Sequence, residues 1–247
     1  MLSTVLLALG AVAQTAAPVK NIVLVHGAFA DGSGWESVYN ILTKQGFNVI
    51  VAQNPLSSLE DDVAAVDRIL DKLDGPAILV GHSWGGAVIT QAGGSDKVAG
   101  LVYVAAFQPE VGETVLTLAM SAPPLPESGI MPPDAKGWVY FDKAKYHAGF
   151  CADIPAAKAA FMYASQGAWS VKCLTTPLTV AAWKTKPSWA IVATEDKAIN
   201  PVIERTMYKR SGSVVTELKG SHVIFISQPA AVAKIIATAA NEAAKGK

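Results

Sequence analysis

The chain has 247 residues, enough to bury a sizeable core as one α/β domain. It is 51% hydrophobic and only 16% charged, which excludes a disordered polymer. Its 20 Lys and Arg balance 20 Asp and Glu, so it lacks the basic excess that nucleic-acid binders present, and nothing steers a strongly charged partner toward it.

Residues 1–17 read MLSTVLLALGAVAQTAA, an apolar run followed by small residues, with Ala11-Val12-Ala13 matching an A-x-A cleavage pattern. A signal peptide is expected here, and with it a secreted or periplasmic location. The alternative is an amphipathic extension packed on a cytoplasmic domain, because the run carries no Lys or Arg. It is too short to span a bilayer, and stable membrane insertion is not expected. Two cysteines, Cys151 and Cys173, stand far apart. In a reducing compartment they would be small buried hydrophobes. On export they could pair, closing a loop of about 20 residues worth roughly 3 kcal/mol.

From Lys20 onward, short apolar runs alternate with helical spacings. Strands are predicted over 21–25, 47–52, 76–80, 98–105, 188–193 and 214–218. Helices are predicted over 33–44, 61–73, 83–92, 201–210 and 229–244. The first run, Asn21-Ile22-Val23-Leu24-Val25, is continuously apolar, as befits a strand covered on both faces. Strands alternating with helices imply βαβ crossovers and a mostly parallel sheet of about six strands. Residues 108–186 break this rhythm with many prolines and short helical pieces such as 154–165. They read as an insertion capping a core built from 18–107 and 187–247.

Gly81-His82-Ser83-Trp84-Gly85 lies between a predicted strand and a predicted helix. That context turns a moderately specific motif into a strong one, a nucleophile elbow with Ser83 at its apex. A serine hydroxyl needs a base to take its proton, and the chain offers four histidines. His82 flanks the serine and should be a structural hydrogen-bonder; His26 can brace the turn after the first strand. His147 lies in the insertion, as a surface residue or a substrate contact. His222 follows the last predicted strand, where ligands gather in parallel sheets, and completes the chain order Ser…Asp…His. It is the expected base. The loop after 188–193 supplies two adjacent carboxylates, Glu195 and Asp196, of which Asp196 is the expected partner of the imidazole. Backbone amides of Ala28 and Trp84 are the expected oxyanion hole. No metal is implied, since no histidines or cysteines have ligand spacing.

The runs NIVLVHGAFADGSGW, GHSWGG, LVYVAAFQPEVGE, AWKTKPSWAIVATEDKAINP and GSHVIFISQP together resemble the α/β-hydrolase superfamily. They are most similar to its branch of plant methylesterases, hydroxynitrile lyases, bacterial carboxylesterases and pyrethroid hydrolases. The resemblance runs from about residue 20 to the end and is weakest in the insertion. It implies the α/β-hydrolase fold with a helical cap, a triad of Ser83, Asp196 and His222, a hole at Ala28 and Trp84, and no cofactor. It implies a small-molecule ester as substrate, cleaved through an acyl-enzyme. Hydroxynitrile lyases of this branch carry a threonine where this chain has Gly27, and a lysine after the catalytic histidine where it has Val223. Ester hydrolysis is therefore expected over cyanide chemistry, with a lactonase or a non-catalytic receptor as alternatives. Phe29, Phe107, His147 and Trp183 are the candidate substrate contacts, and Met120, Trp138, Tyr140, Phe150, Phe161 and Met162 are further candidates for an apolar pocket. The same side chains could instead be the insertion's own core.

Overall fold

The computed structural model describes residues 18–244, so the expected leader over 1–17 lies outside the described residues. Strands β1 (Asn21–Val25), β2 (Asn48–Ala52), β3 (Ala77–His82) and β4 (Val98–Val104) alternate with helices α1 (Glu36–Lys44), α2 (Leu59–Leu70) and α3 (Gly85–Ala92). A long segment then carries α4 (Val115–Ala119), β5 (Trp138–Val139), α5 (Tyr146–Phe150), α6 (Ala156–Ala164), β6 (Trp169–Ser170) and α7 (Val171–Thr175). The alternation resumes with β7 (Ser188–Ala193), α8 (Pro201–Ser211), β8 (Val214–Leu218), the short α9 (Ile224–Ser227) and α10 (Pro229–Ala243).

The main sheet is parallel throughout, in the order β2-β1-β3-β4-β7-β8. Every residue of β1, β3 and β7 is buried, because helices cover both faces of the central strands. The edge strand β8 is the contrast: Val214 is 60% and Val215 42% exposed.

Element boundaries moved where caps and turns override apolar spacing. The helix expected at 61 begins at Leu59, since the Ser58 hydroxyl accepts the Asp61 N–H at 3.0 Å. Residues 32–35 form a separate 3₁₀ turn capped by Asp31, which accepts the Ser33 N–H at 2.7 Å. The helix after the elbow starts at Gly85, two residues late, because Ser83 adopts a left-handed φ of 54° that no right-handed helix accommodates. The end of α8 follows ordinary rules, with Asn200 as N-cap, Pro201 in its first turn and Gly212 at φ 68° behind it.

The segment between β4 and β7 has little regular structure of its own. Its small antiparallel ladder, β5 with β6, was not anticipated, since two-residue strands leave no periodicity to read. Aromatic contacts hold it together and to the core. Phe141, Phe150 and Trp169 pack edge-on against Phe29, which follows β1, at centroid distances of 5.7, 6.3 and 5.6 Å. The buried Tyr146 hydroxyl donates to the Phe29 carbonyl at 2.9 Å.

The bridge that Cys151 and Cys173 could have formed on export is not made: both are free, buried thiols, the other reading of the pair. Each has its own seat. Cys151 ends α5 and its Sγ donates to the Tyr146 carbonyl at 3.6 Å, whereas Cys173 is packed within α7. Burial pushes both thiols upward, Cys151 to about 12, so they behave as small hydrophobes.

Candidate active site

β3 delivers Ser83 to the carboxyl end of the sheet. Its positive φ is strained for a residue with a Cβ, at a cost of about 1–3 kcal/mol, and the sheet around it must hold it there. The flanking glycines make room. A Cβ on Gly85 would lie 2.7 Å from the Val25 carbonyl oxygen. Gly27, on the loop after β1, is needed for the same reason, since a Cβ there would sit 2.7 Å from Ser83 Cβ. Any side chain at position 27, threonine included, would press directly on the serine.

His222 arrives on the loop after β8, and Asp196 on the loop after β7. The structure joins them: His222 Nδ1 lies 2.5 Å from Asp196 Oδ2, and both residues are 1% exposed. A carboxylate only accepts, so the His222 Nδ1 carries the proton of this bond. Asp196 is held in turn by the amides of Ala198 and Ile199, which donate to Oδ1 at 2.7 and 2.9 Å. Glu195, the other expected carboxylate, turns outward and lies 3.6 Å from Lys219 Nζ. Loop geometry thus separates two neighbours that composition could not.

The other histidines are placed as the elements demand. His82 Nε2 donates to the His222 carbonyl at 3.0 Å, with its ring centroid 4.6 Å from that of His222, while its Nδ1 has no partner among the described residues. His26 accepts the Asn54 N–H on Nε2 at 2.9 Å and donates from Nδ1 to the Gly27 carbonyl at 2.9 Å. Burial lowers both rings below the ordinary histidine value, keeping them neutral. His147 is solvent-exposed, and its Nε2 lies 2.9 Å from the Ile154 carbonyl.

Ser83 and His222 open onto one cavity of about 300 Å³. Ala28, Phe29, Phe107 and Phe150 line it, together with aliphatic side chains from the segment between β4 and β7 such as Val115 and Leu174. Among the described residues, no protein acceptor takes the N–H of Ala28 or of Trp84, so both amides remain available. Two candidate contacts lie elsewhere. His147 does not reach the cavity. Trp183 donates from Nε1 to the Pro109 carbonyl at 2.8 Å and stacks beneath Arg210 at 5.6 Å, pinning the start of the segment instead. Phe161 and Met162 face a separate surface groove, and Met120, Trp138 and Tyr140 do not line the cavity.

Three supporting residues escaped the sequence reading. Asp62, fully buried on α2, accepts the Trp84 indole N–H at 2.7 Å and the Leu56 amide at 2.8 Å. Burial pushes it up to about 6 despite these donors. Asp153, in the segment, accepts hydrogen bonds from the Ser221 amide at 2.8 Å, from the Ser221 hydroxyl, and from Ser227 Oγ at 2.8 Å. It therefore grips the His222 loop through the residue before His222. Glu204 is buried beside Asp196. None of these acids sits in a motif; only their partners reveal them.

The sequence from 22 to 235 matches the model of the alpha/beta hydrolase family. The chain belongs to that family. The pyrethroid hydrolase of Sphingobium wenxiniae is 32% identical over 119 residues, 43% of this chain and 42% of that protein. The carbendazim hydrolyzing esterase of a Nocardioides strain is 37% identical over 123 residues, 43% of this chain and 50% of that protein. These alignments thus span about half the length of either relative. The crystal structure of a pyrethroid hydrolase from Sphingobium faniae superposes with a TM-score of 0.79 at 25% identity, covering 92% of this chain and 99% of that one. The fold and the general class, a hydrolase, follow.

Proposed function

We propose that this hydrolase cleaves carboxylic esters with small apolar or aromatic groups, through an acyl-enzyme on Ser83. The observation that carries the reading is the buried pair of Asp196 and His222, 2.5 Å apart, opening onto the same apolar cavity as the strained Ser83. In this mechanism His222 Nε2 takes the Ser83 proton as the hydroxyl attacks the ester carbonyl. The amides of Ala28 and Trp84 receive the oxyanion, and His222 then returns the proton to the leaving alcohol. Water repeats the sequence and releases the acid. The Ser83–His222 hydrogen bond needed for the first step is of a kind that often tightens only around bound substrate. The space that Gly27 must leave beside Ser83 and the buried Val223 after His222 favour hydrolysis over cyanide chemistry, which needs a cation there. The relatives named for hydrolysing pyrethroids and carbendazim point the same way.

A fluorophosphonate probe should label Ser83 in the folded protein, and a panel of p-nitrophenyl esters of increasing acyl length, with aryl esters and lactones added, should find turnover. Absence of labelling together with binding of apolar esters would instead indicate a non-catalytic receptor.

A further inference from the structure

Glu204 lies on α8 with no exposed surface, and neither carboxyl oxygen accepts a hydrogen bond from any described N–H or O–H. A buried carboxylate without donors is costly enough that proteins rarely keep one ionised. The charged and titratable groups around it are the Asp196 carboxylate, on the loop after β7, and Arg205 and Tyr208 on its own helix. The Ala193 amide approaches from the end of β7 without hydrogen-bond geometry. Arg205 is committed to Glu217, which it grips with two bonds of 2.7 and 2.8 Å.

Two neighbouring carboxyls, both buried, rarely carry two charges without a cation between them, so one proton is expected on the pair. The donors decide which partner holds it. Asp196 already accepts three hydrogen bonds, from Ala198, Ile199 and His222, and a carboxylate has about four lone-pair sites. Glu204 has none. We propose that Glu204 is a neutral carboxylic acid whose O–H donates to the remaining site on Asp196, making it a positioning residue for His222. Burial, then the neighbouring Asp196, push Glu204 well above the ordinary glutamate range, which agrees with this assignment. A saturated Asp196 cannot rotate, and so the imidazole it holds keeps Nε2 toward the cavity.

The inference rests on reading Asp196 and His222 as the acid–base pair of ester hydrolysis, yet its first test does not depend on activity. Infrared difference spectra of the full chain at neutral pH should show the carbonyl stretch of a buried protonated carboxylic acid, absent in Glu204→Gln. If the band is missing in the parent, or persists in Glu204→Gln, the proposal is overturned. Glu204→Gln keeps a donor and should retain kcat within about threefold, whereas Glu204→Leu should lose at least about tenfold in kcat with KM little changed, the worth of one hydrogen bond to a charged group. Equal kcat in parent and Glu204→Leu would also overturn it. If no ester is turned over by the parent, the functional reading fails while the infrared band still reports on Glu204.

Discussion

The parallel core and the segment between β4 and β7 are built by different means. In the core, continuous apolar strands such as β1 and β3 are buried along their whole length, and their loops bring Ser83, Asp196 and His222 to one end of the sheet. The segment has helices of five to nine residues and a two-residue ladder, so packing rather than hydrogen-bonded periodicity holds it. It contributes aromatic and aliphatic side chains to the cavity wall and one acid, Asp153, to the His222 loop. The difference teaches that the candidate catalytic side chains sit where the backbone is fixed by the sheet, while pocket shape is left to the part that can vary without disturbing the sheet.

Four substitutions would sharpen or break that division. Ser83→Ala should cost about 10⁴–10⁶-fold in kcat on any ester the enzyme turns over, without loss of thermal stability. Trp169→Ala removes a ring that packs on both Phe29 and Trp84, at 5.6 and 5.7 Å. Chemical denaturation should show about 3–5 kcal/mol of lost stability, together with a preference shifted toward bulkier esters. An unchanged ester profile would mean that the segment does not shape selectivity.

Asp62→Asn tests the core's support of Trp84 through pH. Asp62 is raised by burial to about 6 from 3.8, so in the folded protein it keeps its proton to higher pH than in the unfolded chain. Its contribution is present in full below about 4 and is lost as pH rises through 6, by about 3 kcal/mol. The stability difference between parent and variant, measured in urea from pH 4 to 7, should fall by that amount. A flat difference would place Asp62 as an ordinary carboxylate. Asp153→Ala should have the smallest effect, a loss of about tenfold in kcat as the His222 loop loosens, equivalent to about 1.4 kcal/mol. If kcat is untouched while KM rises, the segment serves the pocket alone and the division becomes sharp.

Much of the core was legible because its signals are local. A run such as Asn21–Val25 declares a buried strand, and Gly81 to Gly85 between strand and helix declares a tight elbow. Chain order and position at strand ends pointed to His222 among four histidines, and the structure brings it against Asp196. What lay beyond the sequence depends on which distant atoms meet. Phe29 and Phe107 line the cavity but His147 and Trp183 do not, because the latter two spend their polar atoms on the carbonyls of Ile154 and Pro109. Spacing left Cys151 and Cys173 open between a bridge and two buried thiols, and the structure seats them as free thiols. Asp62, Asp153 and Glu204 carry no motif, and their meaning comes wholly from the donors, or lack of donors, that folding sets around them. Local patterns determined the strands, the elbow and the candidate catalytic side chains; burial and long-range contacts decided the pocket and the acids behind it, since a carboxyl's charge depends on neighbours that no spacing in the chain announces.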